Sequence, residues 1–357
     1  MNRNHNFSAG PGTLPLEVLE EARDEFLVFR DAGASVIEIS HRSKQYTDVA
    51  ENAKALLKSH LGLGDDWHVM FLQGGASMQF YQVPLNFLEA GQTADYVDTG
   101  SWSKKAVSEA RSLGIVHIAA SSAEGGHKRI PAMSEWQQSD KARYLHYTSN
   151  NTIFGTQFHF IPESSAPLVC DASSDFLCRP MNTDGHSVIY AGAQKNLGPA
   201  GVTVVLIQDD FFRSRKTGLP TMLDYGTHAT KLFNTPPVFA VYLVEKVLRW
   251  LDDMGGLSVM QKRNEKKAAE LYTRIDRTDF YSGNADVDSR SLMNVTFRLP
   301  TEDLEATFVS EAAQHGLDGL KGHRSAGGIR ASIYNACTPE SVSALVAFMD
   351  NFEKQRG

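Results

Sequence analysis

The chain has 357 residues, 42% hydrophobic and 22% charged, a globular composition with enough length for two domains. A formal charge of -7 argues against nucleic acid or an anionic membrane as partner. No apolar run approaches the roughly 18 residues of a membrane helix. Cys170, Cys178 and Cys337 form neither an even disulfide framework nor a zinc spacing, so they read as inert thiols of a reducing cytoplasm, with no metal site expected. The start, MNRNHNFSAGPGTLP, has no secretory h-region.

In chain order, PLEVLEEARDEFLVFRDAG (15–33) predicts an amphipathic helix, with Pro15 near its start and Gly33 after its end. DVAENAKALLKSHLGL (48–63) spaces Val49, Ala53, Leu56, Leu57 and Leu61 along one helical face. Seven short apolar runs follow, at 68–73, 94–98, 115–120, 143–148, 167–172, 187–192 and 202–208. They alternate with helical or irregular segments, and several are apolar on both faces, as strands covered from both sides are. This predicts an α/β fold, a large three-layer domain with a mostly parallel sheet. Beyond residue 236 the pattern changes to helices at 237–254 and 257–276, strands near 292–299 and 328–334, and helices at 301–315 and 339–354. Few strands among helices indicate a smaller α+β domain. The expected division is a large domain over 15–255 and a small one over 256–357, joined by the N-terminal segment 1–14.

SVIYAGAQKNLGPAG (187–201) ends an apolar run on a lysine, Lys195. Such a lysine is either solvated at a strand end or desolvated and able to form an imine with a carbonyl. An aldehyde cofactor that draws electrons through a protonated ring nitrogen would also need a facing carboxylate. Asp171 ends the run PLVCD and could serve, although DASSD also has the chemistry of a turn. Two neighbouring strand C-termini would set both side chains over one crevice, where open α/β sheets bind ligands. FLQGGASMQF (71–80) offers free amides at a helix start to a phosphate, with Ser77 adding a hydroxyl, or else is a tight glycine turn. It has neither Walker A nor GxGxxG order. Trp102 could cover a cofactor ring or belong to the core.

FSAGPGTLP, SHRSKQY, GGASMQF, ADYVDTGSWS, HYTSNNTIFG, YAGAQKNLGPAG, FNTPPVFAVY and LKGHRSAGGIRASIYNA occur in this order. Together they closely resemble the phosphoserine aminotransferases, pyridoxal 5'-phosphate enzymes of the fold-type I aminotransferase superfamily, over nearly the whole chain. The resemblance makes Lys195 the Schiff-base lysine, Asp171 the partner of the pyridine nitrogen, Trp102 the stacking ring and Thr152 a donor to the ring oxygen. It assigns the cofactor phosphate to Ala76, Ser77 and Gln194, with Asn234 and Thr235 reaching it from the other subunit of a homodimer. Arg330 would clamp the substrate α-carboxylate, while His41, Arg42, His323 and Arg324 would address its distal anion. The implied reaction runs between L-glutamate and 3-phosphohydroxypyruvate, in serine biosynthesis. The longer 3-hydroxy-2-oxo-4-phosphobutanoate of pyridoxine biosynthesis is a further candidate substrate.

Two departures from relatives stand out: Ala76 and Ser77 stand where some carry glycine and arginine or cysteine, and Ala9 stands where some carry serine. A cysteine desulfurase would need a nucleophilic cysteine on a mobile loop, and none of the three thiols has that setting. An alanine–glyoxylate type transaminase would leave Arg42, His323 and Arg324 unexplained. A non-catalytic relative would be expected to lack Lys195 or Arg330.

Overall fold

The computed structural model describes residues 3–357; Met1 and Asn2, part of the segment assigned to the small domain, lie outside them. All seven apolar runs form strands of one sheet, in the spatial order 67–72, 203–208, 186–192, 168–171, 145–148, 93–98, 115–121. The last five are mutually parallel, whereas Thr203–Gln208 runs against both of its neighbours. Six strands therefore end at the same edge.

Successive side chains of a strand point to opposite faces, and Thr203–Gln208 displays the consequence. Val204 and Leu206 enter a core beneath the helices Lys44–Leu61 and Val238–Asp253. Val205 and Ile207 enter another beneath Gly75–Phe87 and Ser101–Ala110. All four are fully buried, which is why the run carries no polar alternation. At roughly 1.5–3 kcal/mol per buried aliphatic side chain, such positions hold the three layers together.

The helix expected over 15–33 is shorter, Leu16–Asp24. Residues beyond it turn instead: the Phe26 carbonyl accepts from the Ser35 hydroxyl, and Arg30 adopts a φ of 49°. The apolar residues that extended the helical pattern, Leu27 and Val28, are 78% and 57% exposed.

The C-terminal part packs an antiparallel sheet of Ser282–Gly283, Asn294–Arg298 and Ile329–Ser332 against helices Glu302–Gln314 and Pro339–Arg356. Its core includes Phe7, and His5–Asn6 pairs in parallel with Leu317–Asp318. The helix Gly256–Ile275 starts against the large core at Leu257 and Met260 and ends in the small one at Leu271 and Ile275. We propose the domain boundary at its start, with the N-terminal segment counted in the small domain. Among the described residues, no helix is long and apolar enough to cross a membrane.

Candidate active site

The shared sheet edge collects the candidate residues. Leu168–Asp171 and His186–Gly192 are neighbouring parallel strands, so Asp171 and the Lys195 turn leave the sheet side by side. The turn is closed by the Leu197 amide donating to the Ala193 carbonyl at 3.1 Å. Asn196 locks it from the far side, its Oδ1 accepting from the Asn335 amide at 2.9 Å. Gly12 crosses over it, donating its amide to the Gln194 carbonyl at 2.7 Å. A Cβ at Gly12 would lie 2.8 Å from the Tyr334 ring and 3.1 Å from the Lys195 carbonyl, so this crossing requires glycine.

Lys195 is half-buried. Burial pushes its ammonium down to about 8; Asp171 and Asp175 favour the charge, and Arg330 opposes it. Asp171 is 4% exposed, and burial raises its carboxyl above the ordinary range against the pull of Lys195 and of hydrogen bonds from Ser173. Its Oδ1 accepts from the Ser173 hydroxyl at 2.6 Å and the Ser173 amide at 3.0 Å. Its Oδ2 has no hydrogen-bond donor among the described residues. A carboxylate oxygen left open on a buried residue is what a protonated ring nitrogen would complete.

Trp102 opens the helix Ser101–Ala110, and its ring centroid lies 5.8 Å from Lys195 Nζ. Its indole Nε1 donates to Thr152 Oγ1 at 2.9 Å, which fixes the ring plane. The Thr152 hydroxyl accepts that bond and keeps its own proton to give. Arg330 reaches the same place from the small domain, donating from Nη1 to the Thr152 carbonyl at 3.2 Å. Its Nε is buried without a partner, a guanidinium still short of an acceptor.

Gly74, at φ 96°, caps the helix Gly75–Phe87, placing Ala76 and the exposed Ser77 in its first turn. The free amides of that turn suit a phosphate. Gln194 packs against Gly192, next to Lys195. Asn234 donates to Gln73 Oε1 at 3.0 Å, just before the same turn, while Thr235 is exposed.

The two His-Arg pairs have different surroundings within one chain. His41 lines a cavity of about 330 Å³ with Phe233 and Asn234, and Arg42 beside it is exposed. His323 is half-buried; its imidazole is pushed below its ordinary value by burial and by Arg330, Arg324 and Lys105. Arg324 is exposed.

Sequence reasoning missed Ser173, which presents both donors to Asp171, and Lys105, whose Nζ sits 4.4 Å from the Trp102 ring centroid. The first serine of DASSD was the available signal for Ser173; nothing local marked Lys105. All three cysteines are buried, and burial raises each thiol, Cys178 to about 12, which suits none of them as a nucleophile.

The model of the class-V aminotransferase family matches residues 4–345. A phosphoserine aminotransferase of Desulfatibacillum aliphaticivorans is 52% identical, covering 100% of this chain and 99% of its own length. The solved phosphoserine aminotransferase of Bacillus circulans subsp. alkalophilus superposes with a TM-score of 0.97 at 51% identity, covering 99% of both chains. The pyridoxal-phosphate-bound phosphoserine aminotransferase of Trichomonas vaginalis gives 0.93 at 38% identity, over 98% of this chain and 100% of its own. Matched by the family model over residues 4–345 and by the phosphoserine aminotransferases over nearly its whole length, this chain belongs to the class-V aminotransferases and, among them, to the phosphoserine aminotransferases, pyridoxal-phosphate-dependent transaminases.

Proposed function

We propose that the chain exchanges an amino group between L-glutamate and 3-phosphohydroxypyruvate, yielding 2-oxoglutarate and O-phospho-L-serine, as a cytoplasmic homodimer. The convergence of Lys195, Asp171 and Arg330 on one crevice carries this reading. Trp102, Thr152, Asp171 and Lys195 would hold the cofactor ring, with Ala76, Ser77 and Gln194 at its phosphate. Bound pyridoxal phosphate supplies the electron sink for a carbanion at the substrate α-carbon. Asp171 stays anionic to keep the ring nitrogen protonated. Lys195, as a free amine, would take the proton from the substrate Cα and deliver it to the carbonyl carbon of the cofactor. Arg330 orients the α-carboxylate shared by both substrates, in a fork that lysine could not reproduce.

Several features support the homodimer. Leu27, Val28, Ile37, Leu232 and Phe233 are exposed large apolar side chains. Phe26 packs edge-on against Phe239, setting the segment after the first helix beside the start of Val238–Asp253. Because His41 lines the cavity of Asn234, a neighbour that receives Asn234 and Thr235 at its cofactor phosphate would receive His41 and Arg42 too. Both His-Arg pairs would then serve one site, each subunit contributing one pair. The 3-hydroxy-2-oxo-4-phosphobutanoate of pyridoxine biosynthesis would present the same phosphate and 2-oxo acid ends to that site.

Charge-assisted hydrogen bonds contribute about 1.5–3 kcal/mol each. Arg42→Ala and Arg324→Ala should therefore each lower kcat/KM for 3-phosphohydroxypyruvate by about 10- to 100-fold, leaving the cofactor absorbance intact. Native activity on unphosphorylated hydroxypyruvate should be low and change little. Steady-state kinetics on both oxo acids decides: equal losses on the two, or a native preference for hydroxypyruvate, would sink the phosphate subsite.

The amine of Lys195 should also announce its lowered proton affinity. Only the unprotonated amine attacks an aldehyde, so the initial rate at which apoprotein captures pyridoxal phosphate should rise through pH 8. A rise delayed to the range of an ordinary lysine would contradict the buried setting.

A further inference from the structure

A second carboxylate lies buried four residues beyond Asp171. Asp175 ends DASSD in a turn closed by the amides of Asp175 and Phe176 donating to the Ala172 carbonyl at 3.2 and 2.8 Å. It is 8% exposed. A turn-forming aspartate normally accepts from a nearby amide, and this one accepts none. Its partners come from elsewhere: the Ser149 hydroxyl on Oδ1, Gln157 Nε2 on Oδ2 at 3.0 Å, and the Arg179 guanidinium 3.8 Å from Oδ2.

Ser149 is the residue just past the strand Leu145–Thr148, the neighbour of Leu168–Asp171. Its hydroxyl has one proton and two acceptors in reach, the Asp175 carboxylate and, at 3.2 Å, the Asp171 carbonyl. The carboxylate is closer and charged, so it takes the proton. The Ser149 amide is left to hold the Asp171 carbonyl at 3.0 Å. Asp175 thus fixes the residue that fixes the main chain of Asp171. Gln157 extends the network to the small domain, its Oε1 accepting from the Leu292 amide at 2.9 Å.

We propose that Asp175 is a positioning residue of the active site: its buried carboxylate anchors the strand end carrying Asp171 and adds a second negative charge to the turn that follows it. This rests on the roles given above to Lys195 and Asp171. The field of Asp175 favours the charged form of Lys195 and disfavours ionisation of Asp171. Arg179 is the cation paired with it, and Arg330 acts on the Lys195 amine in the opposite sense. His159, Tyr147, Cys170 and Cys178 also feel its charge. Burial lowers the imidazole and raises the phenol and both thiols, so all four are uncharged at neutral pH. Asp171, Asp175 and Arg330 remain to set the field at the amine, with Arg179 paired to Asp175.

The test is a titration of the holoenzyme, following the pH midpoint of the cofactor absorbance change that reports protonation at the Lys195 nitrogen. Asp175→Asn keeps the shape and removes the charge, so the midpoint should fall by roughly half a unit to one unit. Arg179→Gln leaves Asp175 uncompensated and should move the midpoint upward. Ser149→Ala keeps every charge; it should leave the midpoint in place and lower kcat several-fold through a looser Asp171. A merely structural Asp175 would move melting temperature and not the midpoint. Midpoints unmoved in both charge variants, with borohydride still fixing the cofactor on Lys195, overturn the electrostatic half. Native kcat in Ser149→Ala overturns the anchoring half. Label on another lysine would instead overturn the assignment of Lys195. Should Asp175→Asn fail to fold, the Arg179→Gln titration decides alone.

Discussion

Lys195→Ala should abolish covalent attachment of the cofactor and lower turnover by about 10³-fold or more, while the protein stays folded. Positioned proton transfer alone contributes about 10²–10⁴-fold, and loss of the covalent anchor adds to it. The turn that presents the lysine is held by main-chain bonds, Leu197 to Ala193 and Gly12 to Gln194, which a side-chain deletion leaves in place. Stability points the same way. The folded protein lowers the Lys195 ammonium from 10.5 to about 8. Between those values the unfolded chain binds the extra proton, so this residue's contribution improves as pH rises from 8 to 10.5 and is unfavourable at pH 7. Removing it should leave the apoprotein's melting temperature at pH 7 unchanged or higher. Substantial turnover in the variant, or borohydride fixing the cofactor on another lysine, would refute the assignment.

The same lysine illustrates what the sequence makes legible. A hydrated cation at the end of Ser187–Gly192 conflicts with its apolar surroundings, and that conflict is visible without coordinates. The seven strands were legible for a related reason: a strand covered on both faces, such as Val204–Ile207, has no solvent side and so reads as an unbroken apolar run. Direction was not legible. Thr203–Gln208 has the composition of the mutually parallel strands, yet it runs antiparallel to both of its neighbours, because direction depends on the route of the connection and not on side chains.

The overlong first helix failed for a different reason. Leu27 and Val28 continue the periodicity of Leu16–Asp24, but they point outward. Apolar residues that stay exposed look the same in sequence as those that enter a core. At the site, Asp171 and Asp175 sit in one motif, DASSD, whose turn chemistry accounts for both. Only the donors arriving from Ser149 and Gln157, 26 and 18 positions away, set Asp175 apart. Thr152 and the two His-Arg pairs carry no local signal, and they entered through the resemblance alone.

Asp171→Asn should separate catalysis from folding most sharply, because the two quantities are expected to move in opposite directions. The amide keeps an oxygen for the Ser173 hydroxyl and amide, so the turn after the strand survives. It cannot supply the negative charge that keeps a ring nitrogen protonated. Electrostatic contributions of this kind are worth about 10²–10³-fold, and each factor of ten is about 1.4 kcal/mol of barrier. The variant should bind pyridoxal phosphate and turn over at least about a hundredfold more slowly. Burial raises the Asp171 carboxyl above its unfolded value. The native state therefore binds the extra proton between those two values, and stability falls as pH rises through that window. Above that window the ionised carboxylate is a burden on the apoprotein, one that the amide removes. Melting temperature of the apo variant should hold or rise while kcat collapses. A residue that served only to form the turn would give the reverse, native turnover with a less stable fold, and calorimetry beside steady-state kinetics tells the two apart.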